Sequence, residues 1–93
     1  STLAFAKSKR MRAVTLPRRT ARIRFDFANA SVERVRVNGR VVLARPGGLR
    51  GTVAVDVSRR ATLRVTCEGT GTVRLTTFPT RTRKARLEVT VGE

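Results

Sequence analysis

Arg22-Ile23-Arg24-Phe25-Asp26-Phe27 alternates charged and apolar side chains without interruption. Successive side chains of an extended chain point to opposite faces, so Ile23, Phe25 and Phe27 share one face and Arg22, Arg24 and Asp26 the other. The stretch reads as a half-buried strand whose solvent face is largely cationic.

Similar alternation recurs at 11–16, 22–28, 32–37, 41–44, 52–57, 61–67, 72–78 and 85–91, all short, rich in valine and threonine and separated by turn residues. No window has a helical period. Eight strand candidates, roughly ten residues apart, predict an all-β fold: a small antiparallel β-sandwich, immunoglobulin-like or jelly-roll-like. A ninth short strand is expected at 3–6. With 93 residues the chain is one domain. Residues 20–93 are read as the sandwich and 1–19 as a basic N-terminal arm or edge strand, with Pro17 near the boundary.

Two hairpins have a readable register. Gly69-Thr70-Gly71 reads as a three-residue loop with Gly71 in the left-handed position, setting Cys67 against Val73 and Val65 against Leu75 on the inner face. Arg64, Thr66, Glu68, Thr72, Arg74 and Thr76 then face outward. Val37-Asn38-Gly39 as a similar loop opposes Val35 to Val41 and turns Arg34, Arg36 and Arg40 outward. Asn38-Gly39 as a two-residue turn is the stronger generic signal, but it sets Val37 against Arg40. The segments 46–48, 58–60 and 79–84 read as loops, the last strongly cationic.

Charge bounds the function. Eighteen arginines and three lysines stand against six acids, with no histidine, for a formal net charge of +15. Crowded cations oppose the compact state, so salt or a partner is expected to stabilise the fold. Solubility is served as well by acids as by bases, so the excess predicts a polyanion or an acidic protein surface as partner. The planar fork of arginine suits phosphate and carboxylate, although GC-rich coding also favours arginine over lysine. The best-placed cations are Lys7, Lys9, Arg10, Arg12, Arg18 and Arg19 of the arm. With them come Arg22, Arg24, Arg34 and Arg36 on strand faces, and Arg81, Arg83, Lys84 and Arg86 in and after the last loop.

Catalysis lacks its parts, and the expectation is a protein that is not an enzyme, with no catalytic residues, metal or cofactor. The commonest general base and zinc ligand is missing, and one cysteine makes no thiolate cluster. Asp26, Glu33, Asp56, Glu68, Glu88 and Glu93 are dispersed singly among arginines, as ion-pairing acids are. Neither glycine cluster has the Lys-Ser/Thr ending of a phosphate loop. Cys67, in an apolar alternation, reads as a small core residue, and the absence of an internal disulfide fits a reducing compartment or a particle assembled inside a cell. No run of 18 apolar residues is present, so no membrane span is expected, and the start lacks the form of a secretory signal.

Nucleic acid is one candidate partner. Tyrosine and tryptophan are absent and Phe25 and Phe27 fall on the core face, leaving Phe5 and Phe78 as possible stacking platforms. No helix is expected that could read a groove. Sequence-independent phosphate contact, of cytoplasmic nucleoid or ribosome type, survives as the alternative function.

A protein lattice is the leading candidate. The stretch Ser31-Val32-Glu33-Arg34-Val35-Arg36-Val37-Asn38-Gly39-Arg40-Val41-Val42, followed by Gly51-Thr52-Val53-Ala54-Val55-Asp56-Val57, resembles the immunoglobulin-like and related β-sandwich accessory modules of virus particles, tailed phages especially. The paired cysteines and core tryptophan of antibody-type domains are missing, so that branch is not implied. The resemblance implies a non-catalytic virion component assembled in the host cytoplasm. Such a protein decorates or stabilises a capsid, binds an acidic lattice at its junctions and is itself oligomeric or part of a larger assembly.

Overall fold

The computed structural model describes residues 10–16, 19–57, 62–80 and 85–91. Six strands follow one another: β1 (Arg10–Leu16), β2 (Arg22–Val37), β3 (Arg40–Ala44), β4 (Thr52–Asp56), β5 (Leu63–Phe78) and β6 (Leu87–Val91). All pair antiparallel in one sheet, and no helix occurs among the described residues. The fold is all-β, as the alternation predicts, and its sheet is compatible with a sandwich.

Two strands of 16 residues carry the architecture. β2 and β5 pair from Arg22↔Phe78 to Val37↔Val65. Around one half of this ribbon, β4 joins β2 over Arg22 to Asp26 and β6 joins β5 over Val73 to Thr77. Around the other half, β3 joins β2 over Arg34 to Val37 and β1 joins β5 over Leu63 to Gly69. The inner residues of both halves belong to one apolar cluster, including Ile23, Phe25 and Leu75 from the first and Leu16, Val35 and Val65 from the second. Phe25 and Phe27 stack with ring centres 5.9 Å apart and planes 5° from parallel. Burying a side chain of this size contributes ~1.5–3 kcal/mol.

The expected eight strands become six because two pairs of candidates merge. Segments 22–28 and 32–37 are one strand, β2. Its apolar phase slips at two register shifts, between Asp26 and Asn29 and between Val32 and Arg34, so the buried positions run Ile23, Phe25, Phe27, then Val32, then Val35, Val37. A strict period of two reads such slips as an end to the strand. Segments 61–67 and 72–78 also share one strand, and Gly69-Thr70-Gly71 is no hairpin loop. It runs through β5 opposite Ser31, Ala30 and their neighbours, with Val32↔Gly69 and Ala30↔Gly71. A Cβ on Gly69 would collide with the Ser31 carbonyl oxygen and lie 2.7 Å from Val32 Cα. One on Gly71 would collide with the Asn29 carbonyl oxygen and lie 2.7 Å from Ala30 Cα. These glycines permit close backbone approach where the ribbon changes course. Val65, Cys67, Val73 and Leu75 are all buried as expected, but their partners differ: Cys67 opposes Val35 and Leu75 opposes Phe25. Thr76, expected outward, is 3% exposed.

The second hairpin also departs from expectation. Asn38 (φ 51°) and Gly39 (φ 81°) form the two-residue turn, with Val37 opposite Arg40 and Arg36 opposite Val41. Positive φ at both central residues matches the right-handed twist of the flanking strands. A register shift then restores the faces by setting Val35 against Leu43. The Asn38 side chain has a second use, since its Oδ1 accepts the Arg64 N–H at 2.9 Å while its own N–H donates to the Arg64 carbonyl at 2.9 Å. The expected strand at 3–6, the expected loop 58–60 and residues 81–84 of the expected loop 79–84 lie outside the described residues.

Candidate functional site

In β2 the guanidinium groups of Arg22, Arg24, Arg34 and Arg36 stand outside, because the neighbouring positions Ile23, Phe25, Val35 and Val37 are taken by the core. Arg22 and Arg24 stand outside the first half. Arg22 Nε donates to Asp56 Oδ1 at 2.8 Å, across the register pair that joins β2 to β4. The Arg24 guanidinium lies 5.7 Å from the centre of the Phe78 ring. Phe78 is only 6% exposed, so the ring expected as a stacking platform is already covered. Every aromatic residue among the described ones is buried.

Arg34 and Arg36 stand outside the second half and share one acid, with nitrogens 3.7 and 3.6 Å from Glu68 Oε2. Arg74 Nε sits 3.2 Å from Glu88 Oε1 across the β5 and β6 pair. Each of these pairs is at least partly solvated, a setting in which an ion pair contributes ~0–1 kcal/mol. Their effect on function is larger, because an engaged guanidinium is partly spent.

At the end where β2 begins, the chain is strapped on both sides. Ala21 N–H donates to the Phe78 carbonyl at 2.8 Å, and Val57 N–H donates to the Ala21 carbonyl at 2.9 Å. Arg86 N–H donates to the Thr77 carbonyl at 2.7 Å, and an Arg86 guanidinium nitrogen donates to Thr20 Oγ1 at 2.6 Å. Thr20 is 1% exposed, so Arg86 is anchored by a buried hydroxyl. Arg19 is exposed beside it with φ 64°, a left-handed conformation uncommon for a residue with a side chain. Arg10 and Arg12 fall in β1 at the register positions opposite Gly69 and Cys67. Lys7, Lys9, Arg18, Arg81, Arg83 and Lys84 lie outside the described residues.

Among the described residues, the sequence-predicted cations are therefore not one patch. They divide between two outer faces and one end of the fold. Arg40, expected outward, is exposed, as are Arg45 and Arg50, which the alternation did not single out, and none of the three forms an ion pair with a described residue. Arg45 and Arg50 sit in the connection between β3 and β4, where an alternation pattern gives no signal. The described acids are all engaged: Asp56, Glu68 and Glu88 by arginines, Asp26 by the Ala28 N–H at 2.9 Å, and Glu33 likewise has a partner.

Among the described residues, no three of His, Cys, Asp and Glu gather closely enough to hold a metal ion. No helix among them is long and apolar enough to cross a membrane. Burial pushes the Cys67 thiol up to about 11, which leaves it protonated and unreactive at neutral pH. No curated protein matches this chain, and no solved structure does. One family does match, over residues 2–92, and the chain belongs to it: DUF7263, a family of unknown function.

Proposed function

We propose that this protein is a non-catalytic interaction module that engages an acidic protein surface through its arginines, as a structural component of a large assembly such as a virion. One observation carries the reading. After the described acids have found their partners, Arg19, Arg40, Arg45, Arg50 and Arg64 remain with no ion pair to any described residue. Unspent guanidinium forks, on strands at Arg40 and Arg64 and in turns or connections at Arg19, Arg45 and Arg50, are free to pair with carboxylates. Burial of Phe25, Phe27 and Phe78 speaks against gripping single-stranded nucleic acid by base stacking. A capsid-type setting rests on the resemblance of the 31–42 and 51–57 stretches to virion accessory modules.

Binding of labelled polyglutamate and of a labelled DNA duplex of equal charge tests this, using nuclease-treated protein washed in high salt. Polyglutamate held at least as tightly as the duplex at physiological salt is the expected result. A duplex preferred by a factor of about ten or more, ~1.4 kcal/mol, would transfer the arginines to phosphate binding. Binding to neither polymer overturns the reading.

A further inference from the structure

Between the stretches paired with β4 and with β3, the outer edge of β2 has no strand beside it. The chain from Arg45 to Gly51 bridges this gap at three points. Arg45 N–H donates to the Glu33 carbonyl at 3.0 Å, Leu49 N–H to the Val32 carbonyl at 2.7 Å, and Phe27 N–H to the Gly51 carbonyl at 3.0 Å. Leu49, 8% exposed, joins the core and fixes the bridge in place. A cavity of about 240 Å³ remains between bridge and strand, lined by Phe27, Ala30, Ser31, Gly48, Leu49 and Arg50 among others.

Its lining divides by chemistry. Phe27 and Leu49 are buried, whereas Ser31 and Arg50 are exposed, so the polar groups lie toward solvent. Neither the Ser31 hydroxyl nor the Arg50 guanidinium has a hydrogen bond or ion pair with a described residue. Asp26, the acid in this part of β2, does not line the cavity and takes the Ala28 N–H instead. Drug-sized ligands need ~300–1,000 Å³, so this space suits one side chain or chain end. A phosphodiester is flanked by bulky sugars and enters such a cleft poorly. A carboxylate on a slender stem fits it.

We infer that this cavity is a carboxylate-binding site, in which Arg50 pairs with an acidic group of the partner and Ser31 donates to it. The site deepens the proposed function and rests on it, since it supplies the point at which an acidic surface is held in register. The carboxylate comes either from an Asp or Glu side chain or from a chain terminus.

Amide NMR titrations with acetyl-Gly-Glu-Gly-amide and with acetyl-Gly-Gly-Gly carrying a free carboxylate separate those two sources. Acetyl-Gly-Gln-Gly-amide is the neutral control. Saturating shifts confined to residues 28–31 and 47–51, with a dissociation constant in the millimolar range, are expected for one or both acidic peptides and not for the control. Arg50→Gln should weaken that binding at least five-fold, Arg50→Lys should restore part of it, and Thr15→Ala, an exposed position of β1 away from the cavity, should leave it unchanged. Native amide dispersion of Arg50→Gln excludes misfolding as the cause. Shifts spread over the strand faces, or shifts unaltered in Arg50→Gln, overturn the site. If polyglutamate still binds while the cavity amides stay silent, the site fails and the broader function stands. Loss of polyglutamate binding as well sinks both.

Discussion

Gly71 sits where two backbones meet so closely that no side chain can be inserted without moving the Asn29 carbonyl. Its φ of 92° adds a conformational penalty for any other residue. Gly71→Ala should therefore cost ~3 kcal/mol, read from urea unfolding, a large share of the ~5–15 kcal/mol that keeps a domain folded. A loss below ~1 kcal/mol would mean that the ribbon does not pass through this contact. Cys67 gives a pH-dependent counterpart. In an unfolded chain its thiol titrates near 9.0, whereas in the fold burial pushes it up to about 11. The unfolded chain thus loses its proton first, and the contribution is whole below pH 9.0 and is lost as pH rises to about 11. As much as ~3 kcal/mol is at stake, and Cys67→Val should flatten this part of the pH profile. An unchanged profile in that variant would assign the alkaline loss to other groups.

At the scale of elements, the hairpin between β2 and β3 has its turn written in Asn38 and Gly39. Asn38→Ala should cost ~1–2 kcal/mol, because it removes the acceptor of the Arg64 N–H and places alanine at a φ of 51°. Thermal or urea unfolding measures it. On the outer face next to this turn, Glu68→Gln releases Arg34 and Arg36 together. Its stability should change by less than ~1 kcal/mol while polyglutamate affinity rises about two-fold or more. An affinity that falls would show that the acid helps to hold the partner.

These elements also mark what the sequence could disclose. Valine and phenylalanine alternation revealed the all-β class and the inward positions Ile23, Phe25, Phe27, Val35, Val65, Cys67, Val73 and Leu75, because burial acts on each position alone. Thr76 and Phe78 are buried against expectation, and Val41, expected opposite Val35, is exposed. Pairing partners were illegible at Gly69 and Gly71, since a glycine that permits a turn and a glycine that permits close packing look alike in one dimension. At Asn38-Gly39 face matching and turn geometry conflict in the sequence, and the chain satisfies both by a two-residue turn followed by a register shift between Val35 and Arg36. The cationic surface could be foreseen at Arg22, Arg24, Arg34 and Arg36, though not which acid each would meet. The cavity beside Arg50 left no mark in the sequence, because the 45–51 bridge and β2 meet there through backbone.

For the whole molecule, a formal charge of +15 on 93 residues sets the conditions of stability. Mutual repulsion opposes compaction and is relieved by counter-ions or by a bound polyanion. The melting temperature should rise with sodium chloride, and further with polyglutamate at equal ionic strength. A melting temperature indifferent to both would remove the electrostatic strain from this account.

The two long strands that serve both halves of the sheet govern how the protein reaches that state. Each half borrows one end of β2 and one end of β5, and β2 must find β5 between residues as distant along the chain as Arg22 and Phe78. Chain-closure entropy comes due before most contacts are made, which places folding in the slow regime of roughly milliseconds to seconds. A single cooperative transition is the corollary, with no half-folded survivor offering an open strand to its neighbours.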